Sequence, residues 1–196
     1  MYKPIELDYD NLFPYLSNKT ITLHYQRYLS YVDKLNELIN VDDSLINILN
    51  NISNYPVDIR DDIIYNIGGI LNHELYFKSI SNQKNNLPTN KLKEDIYRFY
   101  GSFDNFKKEF IKTANYLTGS GYTFLVLNKD KLEIINMSNQ ETPYLYGLIP
   151  IFNIDLWEHA YFNDYGNNRA SYIMDFFKLL DFKEIGEQYE KIKFQS

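Results

Sequence analysis

The spacing of apolar residues changes twice along this chain, and each change limits what the chain can fold into. From Ser17 to Asn40, the residues Ile21, Tyr28, Val32, Leu35 and Ile39 recur at helical intervals behind a serine able to cap them. A polar stretch with Pro56 follows, then a second helical pattern from about Val57 to Ser81, through DIIYNIGGILNHELYFKSI. Two long helices with a modest connection predict an antiparallel hairpin. Residues 81–90, SNQKNNLPTN, lack periodicity and read as a linker. Two further helical patterns lie around 91–100 and 102–117, the second opening at Ser102.

The period then shortens. TFLVL (123–127) and LEIINM (132–137) flank NKDK as a β-hairpin, and LYGLIPIFNID supplies a third strand with Pro150 towards an edge or bulge. From Trp157 onward the pattern is helical again. The expected class is α+β. An N-terminal antiparallel helical hairpin forms a lobe over residues 1–84. A C-terminal lobe over 85–196 has helices around a small three-stranded antiparallel sheet.

Composition narrows the function. A net charge of -6 argues against a basic face for nucleic acid and against a polybasic membrane surface. No cysteine is present, which excludes disulfides, thiol catalysis, zinc ribbons and iron–sulfur clusters. The first twenty residues carry acids and prolines where a signal peptide needs an apolar run, and no stretch is apolar enough to span a bilayer. The expectation is a cytoplasmic protein without nucleic-acid or membrane partners.

The chemistry concentrates in three histidines, His24, His73 and His159, each inside a predicted helix or at the start of one. Asp155 lies four residues before His159, on the same face if DLWEH is helical. Three imidazoles and a carboxylate form a sulfur-free donor set that suits iron, manganese or zinc. Taken singly, each histidine reads more readily as an ordinary core or surface residue than as a ligand. Spacing alone does not show that the four converge.

A resemblance goes further. LDYDNLFPYLS followed by TITLHY, then VDKLNELI, GGILNHELYF, GSFDNFKKEF, GSGYTFLVL and DLWEHAYFNDYGNNRASY resemble, in order, the iron/manganese superoxide dismutase family over nearly the whole chain. The resemblance implies one manganese or iron ion per chain, ligated by His24, His73, Asp155 and His159. It implies superoxide as substrate, converted to oxygen and hydrogen peroxide, and a homodimer or a tetramer of the chain. In that family a glutamine holds a metal-bound solvent. Iron enzymes usually carry it four residues before the second histidine, where this chain has Gly69. Gln140 stands where manganese enzymes carry it, so the resemblance favours manganese. Trp157 matches an aromatic residue of the pocket, and Tyr122 and Phe124 stand where tryptophans are common. Glu158 matches a residue that reaches the partner's His159 across the dimer. Arg27 and Arg169 are candidates for a positive funnel that admits the anion.

The chain also departs from the family. After His24 it reads HYQRYLSYV, one residue shorter than usual. Tyr28 stands where a gateway histidine is common, and Phe162 where its tyrosine partner is. At about 100° per residue, a step of seven rotates a side chain only ~20° from its starting face, whereas eight needs a π-bulge to keep that face. Tyr31 stands seven after His24, so an uninterrupted helix is expected to aim it at the site. Two alternatives follow from these departures. One is a relative that keeps fold and metal with impaired or no dismutase activity. The other is a mononuclear iron enzyme for an organic substrate, which the crowd of aromatic residues disfavours.

Overall fold

The computed structural model describes residues 1–7, 12–83 and 85–195. Residues 8–11 of the LDYDNLFPYLS stretch and Lys84 of the 81–90 connection lie outside the described residues, as does Ser196. Helix α1 (Asn18–Leu38) starts where Ser17 Oγ accepts the Thr20 N–H at 3.2 Å. Its buried stripe, Thr20, His24, Tyr28, Tyr31, Val32 and Leu35, follows the helical period without interruption, so the helix is regular between His24 and Tyr31.

A short helix α2 (Leu45–Asn50), capped by Ser44, lies in what the sequence presents as a polar connection. Six residues are too few for a periodic signal, yet Leu45, Ile48 and Leu49 are buried. A 3-10 turn at Val57–Ile59 precedes α3 (Arg60–Ser79), so the second long helix begins three residues later than its apolar pattern suggests. α1 and α3 form the helical hairpin. α3 is buried on nearly every side, which is why its apolar residues show so little sidedness.

In the second half, α4 (Asn90–Tyr100) ends at Gly101, whose φ of +78° an L side chain rarely adopts. α5 (Phe103–Tyr116) opens at Ser102, as its sequence indicates. Strands β1 (Gly121–Asn128), β2 (Lys131–Ser138) and β3 (Ile149–Asp155) form an antiparallel sheet in the order β2-β1-β3. Pro150 sits on the edge strand β3, beside a register shift between Leu125 and Val126, where a missing N–H is tolerated. The chain closes with α6 (Glu158–Tyr165), α7 (Arg169–Phe176) and α8 (Phe182–Gln195). Phe106, Phe110, Phe152 and Phe177 pack face and edge between α5, β3 and the end of α7, bracing the strand that ends at Asp155.

Candidate metal centre

Four side chains from distant segments meet at one point: His24 from α1, His73 from α3, Asp155 from the end of β3 and His159 from α6. One donor atom from each lies within 4.8 Å of all the others. Asp155 Oδ2 is 2.9 Å from His24 Nε2, 3.8 Å from His73 Nε2 and 3.4 Å from His159 Nε2. Asp155 is not helical, as a continuous DLWEH turn requires. It ends β3, and α6 begins only at Glu158. The tight passage from strand to helix brings the two side chains together instead. Asp155 Oδ1 accepts the Trp157 N–H at 2.8 Å, which fixes the carboxylate while leaving Oδ2 facing the histidines.

Burial decides the charge states. His24, His73 and Asp155 are fully buried. Burial pushes the His24 imidazole down against the opposing pull of Asp155, and pushes His73 to about 3, assisted by the neighbouring His24. Burial alone would raise the Asp155 carboxyl. The His159 and His24 rings beside it outweigh that and hold it well below the usual carboxylate range. The site at neutral pH is therefore two neutral imidazoles and a carboxylate with His159 at its edge. His73 Nδ1 donates to the Gly69 carbonyl at 2.6 Å, a bond that leaves Nε2 bare.

The donor set fits a metal ion. Among the described residues, His73 Nε2 and His159 Nε2 are buried and have no hydrogen-bond partner, a costly state for polar atoms. Distances of 2.9–3.8 Å from the carboxylate oxygen to three ring nitrogens suit donors sharing one ion at about 2.0–2.2 Å.

A second layer of hydroxyls lies against this cluster. Gln140 sits in the turn after β2, where Asn139 takes a φ of +52°. Its Nε2 donates to the Tyr31 hydroxyl at 3.0 Å, and its Oε1 accepts from the Tyr122 hydroxyl at 3.0 Å. The Tyr31 ring packs on His73 with centroids 5.3 Å apart, and the Tyr122 hydroxyl is 3.4 Å from His73 Nδ1. Burial pushes the pKa of both phenols up, so both stay protonated at neutral pH.

Two glycines make this contact possible. A Cβ on Gly68 would fall 1.9 Å from the Gln140 carbonyl oxygen, and one on Gly69 2.6 Å from the Tyr31 ring. The position where iron enzymes of the resembling family carry their glutamine is thus filled here by Tyr31. Trp157 closes the layer: its ring stacks on His159 at 5.7 Å and its indole N–H donates to the Asn139 carbonyl.

Tyr28 does not join this layer. Its ring is buried, and its hydroxyl donates to Glu74 Oε1 and accepts the Ile5 N–H, both at 2.9 Å. Tyr2 donates to the same Glu74 oxygen at 2.6 Å, so Tyr28 anchors the N-terminal segment. Phe162 is half exposed and Glu158 is exposed. Arg27 is exposed near Tyr31, but Arg169 is committed to the carbonyls of Gly119 and Leu117. Phe124 is buried next to Tyr122.

Sequence reasoning missed Gly68 and the Tyr122 hydroxyl as partners of Gln140. It also missed the Asp155–Trp157 bond, which the Asp-x-Trp spacing of a side-chain turn could have revealed.

Comparison with known proteins identifies a family for both halves of the chain. The family described as "Iron/manganese superoxide dismutases, alpha-hairpin domain" matches residues 2–81, and "Iron/manganese superoxide dismutases, C-terminal domain" matches residues 88–188. A protein of Listeria innocua serovar 6a, "Superoxide dismutase [Mn]", is 35% identical over 191 residues, covering 94% of this chain and 95% of that protein.

Proposed function

The chain belongs to the iron/manganese superoxide dismutase family, and we propose that it dismutes superoxide at a single manganese ion held by His24, His73, Asp155 and His159. The protein is a superoxide dismutase, an oxidoreductase. The observation that carries the ligand assignment is the convergence of four donor atoms within 4.8 Å, two of them buried nitrogens without a hydrogen-bond partner among the described residues. Three imidazole nitrogens and a carboxylate suit manganese or iron alike. The preference for manganese rests on Gln140, since Tyr31 leaves no room for a glutamine at Gly69.

Held by His24, His73, Asp155 and His159, a redox ion would supply the one-electron chemistry that turns superoxide into oxygen and hydrogen peroxide. The residues of the chain govern the rest. Asp155, fixed by the Trp157 N–H, supplies one negative charge. His73 is held in one tautomer by Gly69. Gln140, gripped between the hydroxyls of Tyr31 and Tyr122, presents a polar group beside the ligands. Tyr31 and Tyr122 remain protonated, so their hydroxyl hydrogens are available to a hydrogen-bonded path. Buried rings around the ligands exclude larger molecules.

The same proposal assigns a homodimer in which Glu158, exposed at the start of α6, reaches the second copy. It divides the chain into lobes 1–84 and 85–196 with the centre at their seam, and places the protein in the cytoplasm. Among the described residues no helix is long and apolar enough to cross a membrane.

The test is superoxide turnover of protein loaded separately with manganese and with iron, metal content measured on the same sample. Rapid turnover with manganese and slower turnover with iron supports the reading. Full occupancy by both metals with negligible turnover would favour a structural role for the ion. The absence of Tyr28 and Phe162 from any polar gateway is the observation on that side.

A further inference from the structure

The candidate metal centre has at its back a tyrosine pair to which the proposed dismutation assigns no role. Tyr76, one turn beyond His73 on α3, lies against the His24 ring with centroids 4.8 Å apart. Its hydroxyl meets that of Tyr172, on α7, at 3.3 Å. Both residues are essentially without solvent exposure. Tyr172 packs in turn against Tyr165, the last residue of α6, with centroids 5.6 Å apart. Tyr165 is partly exposed, and its hydroxyl donates to Asp175 Oδ2 at 3.3 Å.

For packing alone, phenylalanine at 76 and 172 would fill the same core without burying two hydroxyls, each costly to desolvate for one long mutual hydrogen bond. Phenols differ from phenyl rings in one further respect: they lose an electron readily when a base stands ready for the proton. The order of contacts, from ligand ring to buried phenol pair to a surface phenol with its own carboxylate, is that of a conductor leading outward.

We propose that Tyr76, Tyr172 and Tyr165 form a relay that carries oxidising equivalents from the metal centre to the protein surface. The inference takes its metal and its peroxide from the dismutase reading, because peroxide is the product made beside His24. Peroxide that takes one electron from the reduced ion breaks its O–O bond into hydroxide and one hydroxyl-radical equivalent. That equivalent becomes water by taking one electron through Tyr76 and Tyr172 and one proton from solvent. Tyr165 is the group oxidised: its electron moves inward and its phenolic proton passes to the Asp175 carboxylate. The two inner phenols return to their starting state. A small external reductant can then repair the Tyr165 radical at the surface, and the ligand histidines are spared.

The experiment treats protein of known manganese or iron content with hydrogen peroxide, freezes it within milliseconds and records its electron paramagnetic resonance. A tyrosyl signal is expected that falls at least fivefold in Tyr165→Phe and in Tyr172→Phe. Tyr100→Phe, remote from the path, is expected to keep it. Peptide mapping of the Tyr172→Phe protein is expected to show several-fold more oxidised His24. If Tyr172→Phe does not fold, Tyr165→Phe gives the same reading at a partly exposed position. An undiminished signal in the path variants, or oxidation confined to Trp157, overturns the relay. Superoxide turnover of untreated samples is measured in parallel. Turnover without a radical overturns the relay alone, whereas bound metal without turnover overturns the dismutase reading and leaves the radical result readable.

Discussion

The four proposed ligand side chains and the hydroxyl layer around Gln140 lie against each other, yet they are held by different means. The ligands hang from the middle of two long helices, the end of a strand and the start of a short helix, all braced by buried aromatic packing. Their positions depend on elements that form early in any reading of the chain. The hydroxyl layer depends on close approach instead: Tyr31 against Gly69, the Gln140 turn against Gly68, and hydrogen bonds of 3.0 Å on either side of one amide. The cage tolerates change in its surroundings, whereas the layer is exposed to any change in spacing.

The shortened segment after His24 illustrates this. Removing one residue leaves the cage intact, because His24 and the helix before it are unaffected. It re-sorts everything downstream on the same helix. The Tyr31 hydroxyl meets Gln140, while Tyr28 turns to Glu74 and the N-terminal segment. The same buried stripe of α1 thus carries both Tyr31, bonded to Gln140, and Tyr28, whose hydroxyl is committed to Glu74 and Ile5.

The sharpest way to break the contrast is at its centre. Asp155→Ala removes the only anionic donor, and the expected outcome is loss of bound metal with turnover reduced by more than about 100-fold. Metal analysis and a superoxide assay on one sample check it. The fold is expected to survive, which circular dichroism reads.

Acid and base should attack the two layers separately. In the unfolded chain histidine binds a proton near pH 6.5, whereas in the folded metal-free protein burial holds His73 to about 3. Protons therefore favour the unfolded state, and stability present above pH 6.5 is lost as pH falls towards 3. Bound metal should deepen this acid loss, since protonated ligands release it. The buried phenols Tyr31 and Tyr122 have the opposite sign. Their pKa is raised by burial, so the stability they hold below pH 10 declines as pH rises past it. Urea midpoints measured across pH, with and without metal, should show both limbs.

Gly68→Ala places a methyl group where the Gln140 carbonyl stands. The expected cost is about 1–3 kcal/mol of stability, together with reduced turnover because the Gln140 turn must move. Thermal unfolding and kinetics on metal-loaded protein check it. An unchanged protein would mean that the layer is less tightly set than the cage.

Tyr28→Phe should have the smallest effect. It removes one donor to Glu74 and one acceptor for Ile5, at about 1–2 kcal/mol, and turnover per bound metal is expected to stay within about twofold. A large fall in turnover would place Tyr28 back in the site.

Much of this molecule was legible from residue order. Ser17 marks the start of α1, apolar period separates helices from strands, and Pro150 lies on an edge strand. These features rest on local rules, where a residue's neighbours in sequence are also its neighbours in space. The metal-ligating residue types were equally plain, but their meeting was not. A histidine on α1 and an aspartate on β3 stand 131 positions apart, and no periodicity relates them.

The helix α2, the turn that makes Asp155 a strand residue, the Glu74 clasp on Tyr28 and the glycines that admit Tyr31 and Gln140 were decided by packing. The reason is physical: periodicity records which face of an element is apolar, but distances between elements follow from how side chains of given volume fill the space between them. A hydrogen bond of 3.0 Å or a missing Cβ has effect only once those distances are set.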